Sequence, residues 1–541
     1  MKRRIRRFSL IALIPLFLMT MSAIETFAQT TPEGKKGVNA TGYPIVNEPI
    51  TITIVAQHDI AKGQKKYSEM ELFKKLEKKT NIKINWIEIP GSAWAEKKNL
   101  MFASGDLPDA FWGNGIDDTD IIANMDNLVP LNDLIEKYGP NIKKVFATRP
   151  ETKSVVTAYN DNIYSLFQVR ETYFPATRTV IGINKRWLDK FGLQVPKTTD
   201  ELLAALRKFK AGDANGNGKP DEIPLTFMYA MGSGSVRNPS DLFPPFGVYD
   251  NTSNNILTYH LMTRNKQVVF TPMDEGYKEA MKWLAKLYSE GLLDKEAYTN
   301  TSNTYYAKTR SADDKVGVVI DWTINSAVGS DREKDFVQLP PLTGPKGDKG
   351  WTIVSGSQIA RNKFVITKKN KNLEATMRWV DEFYSPITSL ETFCGPIGEM
   401  YKLDSKGIMV PNEAPKDMNF ESWKWGNTPA DSAPFAALKE YESMILPTAS
   451  QIERYKAELV VQPYLQKDPY PNVFFSGSDI EVLKEIMPEI NSYVQIMQAS
   501  FVTEGNVDSR WDGYVQKLKD MRLDEAMAIF SKAYKKYLTS K

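Results

Sequence analysis

The chain has few of the residues on which metalloenzymes and nucleophilic enzymes depend. Its 541 residues include only 2 histidines and 1 cysteine. It contains neither a His-Glu-x-x-His nor a Gly-x-Ser-x-Gly motif, which are signatures of zinc and serine hydrolases. Its many acidic residues form no short motif that isolates an acid–base pair. The sequence therefore favours a non-catalytic protein.

The single cysteine, Cys394, excludes an intramolecular disulfide. We expect it to be a small buried residue, because only His58 and His260 could serve as its base. No cysteine follows the N-terminal apolar segment, so no lipid can be attached there. An exported chain of this kind must rely on a large core for its stability.

Long apolar runs are missing after the first 28 residues. Those residues contain an apolar stretch at positions 10–21 and the small-residue sequence Thr26-Phe27-Ala28, preceded by the basic residues Lys2, Arg3, Arg4, Arg6 and Arg7. This order predicts a signal peptide at 1–28, with an uncleaved anchor as the alternative. Residues 29–48 are predicted to be a flexible leader. We expect the mature chain not to span a membrane.

The chain also lacks a basic surplus once this segment is removed. Its formal net charge is +3, and the first 28 residues contribute +4 of it, which leaves about −1. A nucleic-acid-binding protein needs a basic surface. The sequence therefore predicts no nucleic-acid partner.

An acidic and amide-rich loop at residues 213–222 has the spacing of a calcium site. Oxygen-bearing side chains recur at alternate positions, and Gly218 stands sixth from Asp213, where such a loop turns sharply. The twelfth position is Pro224, which cannot bind a metal, so Glu222 is the natural substitute. The predicted Ca²⁺ ligands are Asp213, Asn215, Asn217, the carbonyl of Lys219, Asp221 and Glu222. The alternative is an Asn-Gly turn with solvated acids.

Strand and helix patterns alternate along the mature chain. Strands are predicted at 50–55, 82–87 and 110–112, with helices at 68–80 and 94–103 between them, which favours a parallel sheet with crossovers. The pattern restarts at 179–183. Residues 480–538 are predicted to be consecutive helices with a break near Gly505. At this length the chain is expected to form two or more domains.

Several of these segments carry a resemblance to a known family. The chain resembles the extracellular solute-binding proteins of ABC importers, in particular the long subgroup that binds oligosaccharides, including the bacterial alginate-binding proteins. The loop at 213–222 and Asp321-Trp322 match, as do the segments at 50–55, 101–109, 162–164, 288–294 and 511–514. The motif Ala103-Ser-Gly-Asp-Leu-Pro-Asp109 is fairly specific, and the calcium loop strengthens the match.

The resemblance implies a two-lobed α/β fold of the periplasmic-binding-protein type (type II). Each lobe is expected to hold a mixed, mainly parallel sheet flanked by helices, with a helical C-terminal region. We assign residues 49–168 and about 351–400 to the N-terminal lobe. Residues 169–350 and about 401–541 are assigned to the C-terminal lobe, which carries the calcium loop. The resemblance also implies the same calcium ligands.

The implied function is extracytoplasmic binding of a carbohydrate and its delivery to the permease subunits of an ABC transporter, by a monomer located in a periplasm or released. A pyranose needs flat aromatic platforms together with converging polar groups. The predicted ligand contacts are Trp322, Trp423, Trp425, Gln57, His58, Trp112, Tyr173 and Arg178. We place Trp423 and Trp425 in a loop, and Trp187, Trp283 and Trp379 in the core.

Two other functions remain open from the sequence. The same fold can present a bound sugar to a membrane sensor kinase instead of a permease, and the sequence does not separate these roles. A secreted carbohydrate-active enzyme is the other alternative, although it would require a placed acid and base.

Overall fold

The structure is a computed structural model that describes residues 37–58, 63–177, 179–229, 236–251, 256–353 and 358–539. The predicted signal peptide, residues 29–36 of the leader and Arg178 lie outside these ranges. The strands are β1 Ile50–His58, β2 Ile82–Pro90, β3 Ala110–Trp112, β4 Leu166–Arg170, β5 Val180–Asn184, β6 Ile223–Leu225, β7 Leu261–Arg264, β8 Gln267–Phe270, β9 Val316–Asp321, β10 Phe336–Gln338, β11 Ile359–Ile366, β12 Tyr401–Leu403, β13 Met409–Pro411 and β14 Phe435–Ala437.

The α-helices cover both sheets and form most of the C-terminal region. They are α1 Glu71–Thr80, α2 Gly91–Ser104, α3 Asp118–Ala123, α4 Asn132–Tyr138, α5 Pro140–Thr148, α6 Pro150–Val156, α7 Lys185–Lys190, α8 Thr199–Ala211, α9 Glu275–Ser289, α10 Ser302–Thr309, α11 Ile324–Val328, α12 Leu373–Asp381, α13 Pro386–Cys394, α14 Phe420–Asn427, α15 Ala449–Val461, α16 Gly477–Glu504, α17 Val507–Asp520 and α18 Leu523–Thr539.

The first sheet has six strands in the order β14-β4-β11-β3-β1-β2. β1 pairs parallel with β2 and β3, and β14 pairs parallel with β4, whereas β11 runs antiparallel to both of its neighbours. Burial alternates along the start of β1, because its two faces meet different surroundings. Mostly parallel pairing brings the carboxyl ends of β1, β3 and β4 to the same edge of the sheet.

The second sheet has four strands in the order β10-β5-β9-β6. β5 pairs antiparallel with both β9 and β10, and only β6 with β9 is parallel. This sheet is therefore mixed as predicted but not mainly parallel. All six residues of β9 are buried, since helices cover both faces of the sheet.

Each sheet has its own hydrophobic core, and these cores define two lobes. The first lobe comprises residues 37–170 and 359–445, and the second lobe comprises residues 180–351 and 449–539. The chain passes between the lobes three times: between β4 and β5, before β11, and between Ile445 and α15.

The assignment of residues 401–445 to the C-terminal lobe is wrong. β14 pairs with β4 of the first sheet, and Tyr401, Met409 and Ile445 belong to the first core. The predicted boundaries placed the lobe crossings near residues 168, 351 and 400. The third crossing returns the chain to the second lobe only after Ile445.

The leader was predicted to be flexible. Its described part, residues 37–48, instead packs against the first lobe. Ile45 and Val46 are buried, and the Ile45 amide donates to the Thr80 carbonyl at 2.9 Å. Arg378 Nη2 donates to the Gly42 carbonyl at 2.7 Å. The segment is ordered because its two apolar side chains cover the end of α1.

The C-terminal helices pack on the second lobe, as their apolar periodicity predicts. α16 ends at Glu504, and Gly505 follows with a φ of 67°, a conformation that glycine adopts at little cost. Leu483, Ile490 and Phe501 of α16 belong to the second core. No helix among the described residues is long and apolar enough to cross a membrane.

Candidate functional site

A cleft of about 930 Å³ lies between the two lobes. The first lobe contributes Arg170 at the end of β4 together with Trp425 and Asp431, and the second lobe contributes Trp322 and Glu333. Further lining residues come from the start of α15. Its volume is within the range of small-ligand sites, roughly 300–1,000 Å³.

Trp322 lines this cleft at the point where β9 ends. The Asp321 carboxylate accepts one hydrogen bond from the Trp322 amide at 2.8 Å and another from Arg237 Nε at 3.2 Å. Burial raises the pKa of Asp321, although the charge of Arg237 opposes this rise. The buried ion pair therefore fixes the turn that presents the partly exposed Trp322 ring.

Two arginines and a phenylalanine form one wall of the cleft. The guanidinium carbon of Arg454 lies 5.2 Å from the centre of the Phe174 ring, and that of Arg170 lies 4.8 Å from it. These distances are typical of cation–π contacts. Phe174 belongs to the first connection between the lobes, so this wall joins the connection to α15 and to the end of β4.

A second polar group lies at the first-lobe side of the cleft. Arg170 Nη1 is 3.8 Å from Asp431 Oδ1, and Lys363 Nζ donates to the Asp431 carbonyl at 3.2 Å. Burial lowers the pKa of Lys363 to about 7, and the nearby charge of Arg170 acts in the same direction.

Trp425 and Trp423 lie in the helix α14 and not in a loop. The Asn419 side chain caps this helix by accepting the Ser422 amide at 2.8 Å. Residues that are two positions apart in an α-helix differ by about 200° around its axis. The two tryptophan rings therefore point to different sides of α14. Both rings pack against the first core, but only Trp425 also lines the cleft, and the centre of the Trp423 ring lies 5.7 Å from that of Phe420.

Trp112 lies in the core, which excludes it as an exposed platform. Its side chain is 1% exposed, and its ring centre is 5.2 Å from that of Phe383 and 5.5 Å from that of Trp86. Trp112 is enclosed because all three residues of β3 are buried. Trp187 and Trp379 are fully buried, and Trp283 packs partly buried against the second core.

Gln57 and His58 end β1 but do not line the cleft around Trp322. His58 Nδ1 lies 2.8 Å from Glu88 Oε2, and each side chain is 13% exposed. Burial raises the pKa of Glu88, and the charge of His58 opposes the rise. The pair joins β1 to β2 within the first lobe.

Tyr173 is next to the cleft but does not line it. Its φ is 46°, and its amide donates to Glu442 Oε1 at 3.0 Å. The following residue, Phe174, lines the cleft instead. Tyr173 is therefore the neighbour of a residue that lines the cleft, and side-chain direction at a left-handed residue cannot be read from the sequence pattern.

The sequence analysis missed all four acidic residues that line the cleft, which are Glu333, Glu421, Asp431 and Glu453. Asn325 Nδ2 donates to Glu333 Oε2 at 2.8 Å. Burial raises the pKa of Glu453 to about 7, and the charge and hydrogen bond of Glu333 add to this rise. No motif links these two residues, so no sequence signal identifies them.

The loop at 213–222 follows α8 and has the turns that a calcium site requires. Gly216 and Gly218 have φ values of 77° and 76°. The Gly218 amide donates to Asp213 Oδ1 at 3.2 Å. Asn215 Nδ2 and Asn217 Nδ2 donate to Asp221 Oδ1 at 3.0 and 3.1 Å. The side chains of both ends of the loop thus converge.

The Glu222 carboxylate is the clearest sign that a cation fits this loop. Glu222 is 3% exposed, and neither of its carboxylate oxygens has a hydrogen-bond partner. A buried carboxylate needs a partner or a metal. The described residues hold no cluster of three or more His, Cys, Asp or Glu side chains suited to a metal. A cation held here would need amide and carbonyl oxygens beside the carboxylates, which are oxygen ligands that Ca²⁺ accepts.

Comparisons with known proteins identify the family of the chain. A model of the bacterial extracellular solute-binding protein family matches residues 61–388. The fructooligosaccharide ABC transporter substrate-binding protein FusA of Streptococcus pneumoniae is 35% identical over 496 residues, which cover 88% of this chain and 88% of that protein.

Solved structures match over nearly the whole chain. FusA of S. pneumoniae in complex with kestose gives a TM-score of 0.76 at 33% identity and covers 91% of this chain and 100% of that chain. An EF-hand mutant of FusA with fructo-nystose gives 0.76 at 32%, with coverage of 91% and 100%. An extracellular solute-binding protein from Bifidobacterium longum subsp. infantis gives 0.81 at 26%, with coverage of 91% and 98%. The predicted fold class is confirmed.

Proposed function

The chain belongs to the bacterial extracellular solute-binding proteins, and we propose that it binds a neutral oligosaccharide between its lobes and delivers it to an ABC transporter. The observation that carries this proposal is that Trp322 and Trp425, from different lobes, line one cleft together with charged groups. It is a binding protein and not an enzyme.

The two rings explain how ligand binding drives closure. Indole faces pack against the apolar C–H faces of sugar rings, while charged side chains hydrogen-bond the hydroxyls. A ligand that contacts Trp322 and Trp425 at once interacts with both lobes. Only such a ligand favours the closed state over the open one. The permease can then distinguish the closed, ligand-bound protein from the open, empty one.

The charges in the cleft favour a neutral ligand. The cleft is lined by two arginines, Arg170 and Arg454, and by four acidic residues, Glu333, Glu421, Asp431 and Glu453. The carboxylates of a uronate chain would be repelled by this excess of acidic side chains. Their own desolvation would add a further free-energy cost to binding. FusA is named for fructooligosaccharides, which are neutral. We therefore propose a fructooligosaccharide or a similar neutral chain as the ligand.

A thermal-shift screen tests this proposal. A ligand at a hundred times its dissociation constant stabilises the folded state by about 2.7 kcal/mol, so kestose or nystose should raise Tm by about 2 °C. Oligogalacturonides, which are anionic, should leave Tm unchanged. A rise with the anionic chains alone would contradict the neutral assignment.

We further propose that Ca²⁺ binds in the loop at 213–222 and has a structural role. The ligands would be Asp213, Asn215, Asn217, the Lys219 carbonyl, Asp221 and Glu222. Support comes from the partnerless Glu222 carboxylate. Asn215 Nδ2 donates to the Asp313 carbonyl at 3.1 Å, and Lys315 Nζ lies 3.2 Å from Asp221 Oδ2. A bound ion would therefore tie the α8–β6 connection to the start of β9.

We also propose that the protein acts outside the cytoplasm. A signal peptide at 1–28 directs export, and the mature chain acts as a monomer in a periplasm or outside the cell. Its partners are the sugar and the permease subunits. Transport assays test this step, since loss of the protein should abolish uptake of the sugar that it binds.

A further inference from the structure

The segment between α15 and α16 contacts both lobes at a place away from the cleft. Phe474 of this segment packs on a small cluster of the first lobe that includes Phe111, whereas both neighbours of Phe474 belong to the second core. Phe111 and Trp112 are consecutive residues of β3, so their side chains point to opposite faces of the first sheet. Trp425 packs against the core that contains Trp112. Phe474 and Trp425 therefore pack on opposite faces of this sheet.

Both ends of this segment are held by the second lobe. Near its start, the Trp351 amide donates to the Tyr464 carbonyl at 2.8 Å, and the Gln466 amide donates to the Trp351 carbonyl at 3.0 Å. At its end, Ser476 caps α16 by accepting the Asp479 amide at 3.2 Å. Trp351 directly precedes the second connection between the lobes, so the segment begins beside that connection.

Arg361 of β11 joins the middle of this segment to the first lobe. Within the first lobe, its guanidinium donates to both carboxylate oxygens of Asp118 and to the Val155 carbonyl at 3.2 Å. In the second lobe, it donates to the Asn472 carbonyl at 2.7 Å and to the Val473 carbonyl at 2.8 Å. A guanidinium has five N–H donors, and these bonds use all of them.

This link between the lobes is buried. The side chains of Arg361 and Asp118 are 4% and 11% exposed, and the guanidinium carbon lies 4.0 Å from the centre of the Phe474 ring. Asn362 Nδ2 also donates to Asp118 Oδ1 at 2.7 Å. A buried charge that loses its hydrogen bonds is strongly unfavourable. We therefore expect the link to persist while the lobes move.

Another contact between the lobes, close to the first, is exposed. Lys536 of α18 and Tyr159 of the first lobe line the same cavity as Phe474, which has a volume of about 400 Å³. Lys536 Nζ donates to the Tyr159 carbonyl at 2.7 Å and lies 3.3 Å from Asp161 Oδ1, with the two charged side chains 51% and 84% exposed. Exposed ion pairs contribute little to stability, so Arg361 provides the stronger link.

We propose that Arg361 is a positioning residue, which adds a non-covalent fourth link to the three chain connections and serves as a pivot when the lobes close on the sugar. β11 begins at Ile359, directly after the second connection, so Arg361 lies beside the hinge. A pivot there limits the orientations in which Trp322 and Trp425 approach each other. The ligand then has less disorder to remove on binding. The effect on sugar affinity rests on the proposed function.

Distances between spin labels, one in each lobe, test the pivot. Cys394 is 1% exposed, so labels attach selectively to cysteines introduced at exposed positions by K78C on α1 and S289C on α9. Pulsed electron resonance then gives the distribution of interlobe distances in the sugar-free protein. Calorimetry with kestose gives the affinity of the same variants.

R361K is the principal variant, because lysine keeps the positive charge beside Asp118 but has three donors in place of the five-donor fork. It should broaden the distance distribution about twofold and weaken kestose binding roughly tenfold, within the usual range of conformational coupling. F474A, which removes the ring over the guanidinium, should change both quantities in the same direction. K536A removes the exposed interlobe contact and is the matched control, with both quantities unchanged.

The outcomes separate a pivot from a purely structural ion pair. A lower Tm for R361K with an unchanged distance distribution overturns the proposal, and so does equal broadening in K536A. Should R361K fail to fold, the distribution in F474A decides in the same way. The distances are measured without sugar, so they test the pivot even when kestose does not bind. A wild type that binds no neutral oligosaccharide overturns the proposed function and not the pivot.

Discussion

The guanidinium carbon of Arg454 lies 5.8 Å from the centre of the Trp322 ring. Trp322 follows the central strand β9 of the second lobe, and Arg454 belongs to α15, which begins directly after the third connection. Arg454 also contacts Phe174 of the first connection. One arginine therefore holds two rings of the cleft wall and couples their positions to the segments that join the lobes.

Trp322→Ala should weaken oligosaccharide binding by about 10- to 100-fold, because loss of a buried aromatic anchor costs roughly 2 kcal/mol or more. Trp322→Phe should retain most of the affinity, since it keeps a flat ring. Trp423→Ala is the matched control, because Trp423 does not line the cleft. Isothermal calorimetry with kestose measures all three. Equal losses in W322A and W423A would contradict the assigned roles.

Glu222→Gln should remove the response of the protein to calcium. In the wild type, added Ca²⁺ should raise Tm and EDTA should lower it, because the ion binds only the folded loop. The neutral amide of E222Q supplies a weaker ligand than the carboxylate, so the shift should largely disappear. The control is E489Q, an exposed change on α16. Unchanged wild-type Tm under EDTA contradicts the metal site.

The pH dependence of stability should report on Glu453. Its pKa is raised from 4.5 to about 7 by burial and by Glu333, so between these values the folded state holds a proton that the unfolded state has lost. Stability from this group is fully present below pH 4.5 and is lost as the pH rises through about 7. The variant E453Q has no ionisable group at this position, so its stability should not show this pH dependence.

Differential scanning calorimetry at pH 5 and pH 8 checks this assignment. The Tm of E453Q minus that of the wild type should be larger at pH 8 than at pH 5, by about 2 °C. Arg454 adjoins Glu453 in sequence and remains charged throughout. An identical difference at both pH values would show that Glu453 titrates normally.

A buried ion pair of the first lobe also hydrogen-bonds to the second lobe, on another side of the molecule. Arg361 of β11 donates to Asp118 Oδ1 at 2.8 Å and to the Val473 carbonyl at 2.8 Å. D118N leaves the buried guanidinium without a counter-charge, which costs about 3–5 kcal/mol. We expect a large fall in urea midpoint for D118N and little change for D126N, an exposed aspartate. Equal midpoints would contradict the role of the pair.

The sequence pattern predicted much of the fold where periodic segments are long. The apolar run of β9 and the C-terminal helices have clear periods, and glycine at 505 marks the helix end. β14 has only three residues, and its partner β4 is far away in the sequence. No local pattern specifies such a pairing, so residues 401–445 were assigned to the wrong lobe.

The site was predictable only in part for a related reason. Trp322 was identified because it directly follows an apolar strand. The eight residues of α14 are too few to display a helical period, so Trp423 and Trp425 could not be told apart. Glu333, Glu453, Arg454 and Phe174 meet only through the folding of distant segments. Sequence alone gives no signal for such a constellation.

The most direct test of the account is a calorimetric titration of the mature protein with kestose at neutral pH. The account predicts saturable binding of one kestose per chain with a micromolar or lower Kd, equivalent to about −8 kcal/mol or better. Absence of binding by kestose and by longer neutral fructooligosaccharides would contradict it.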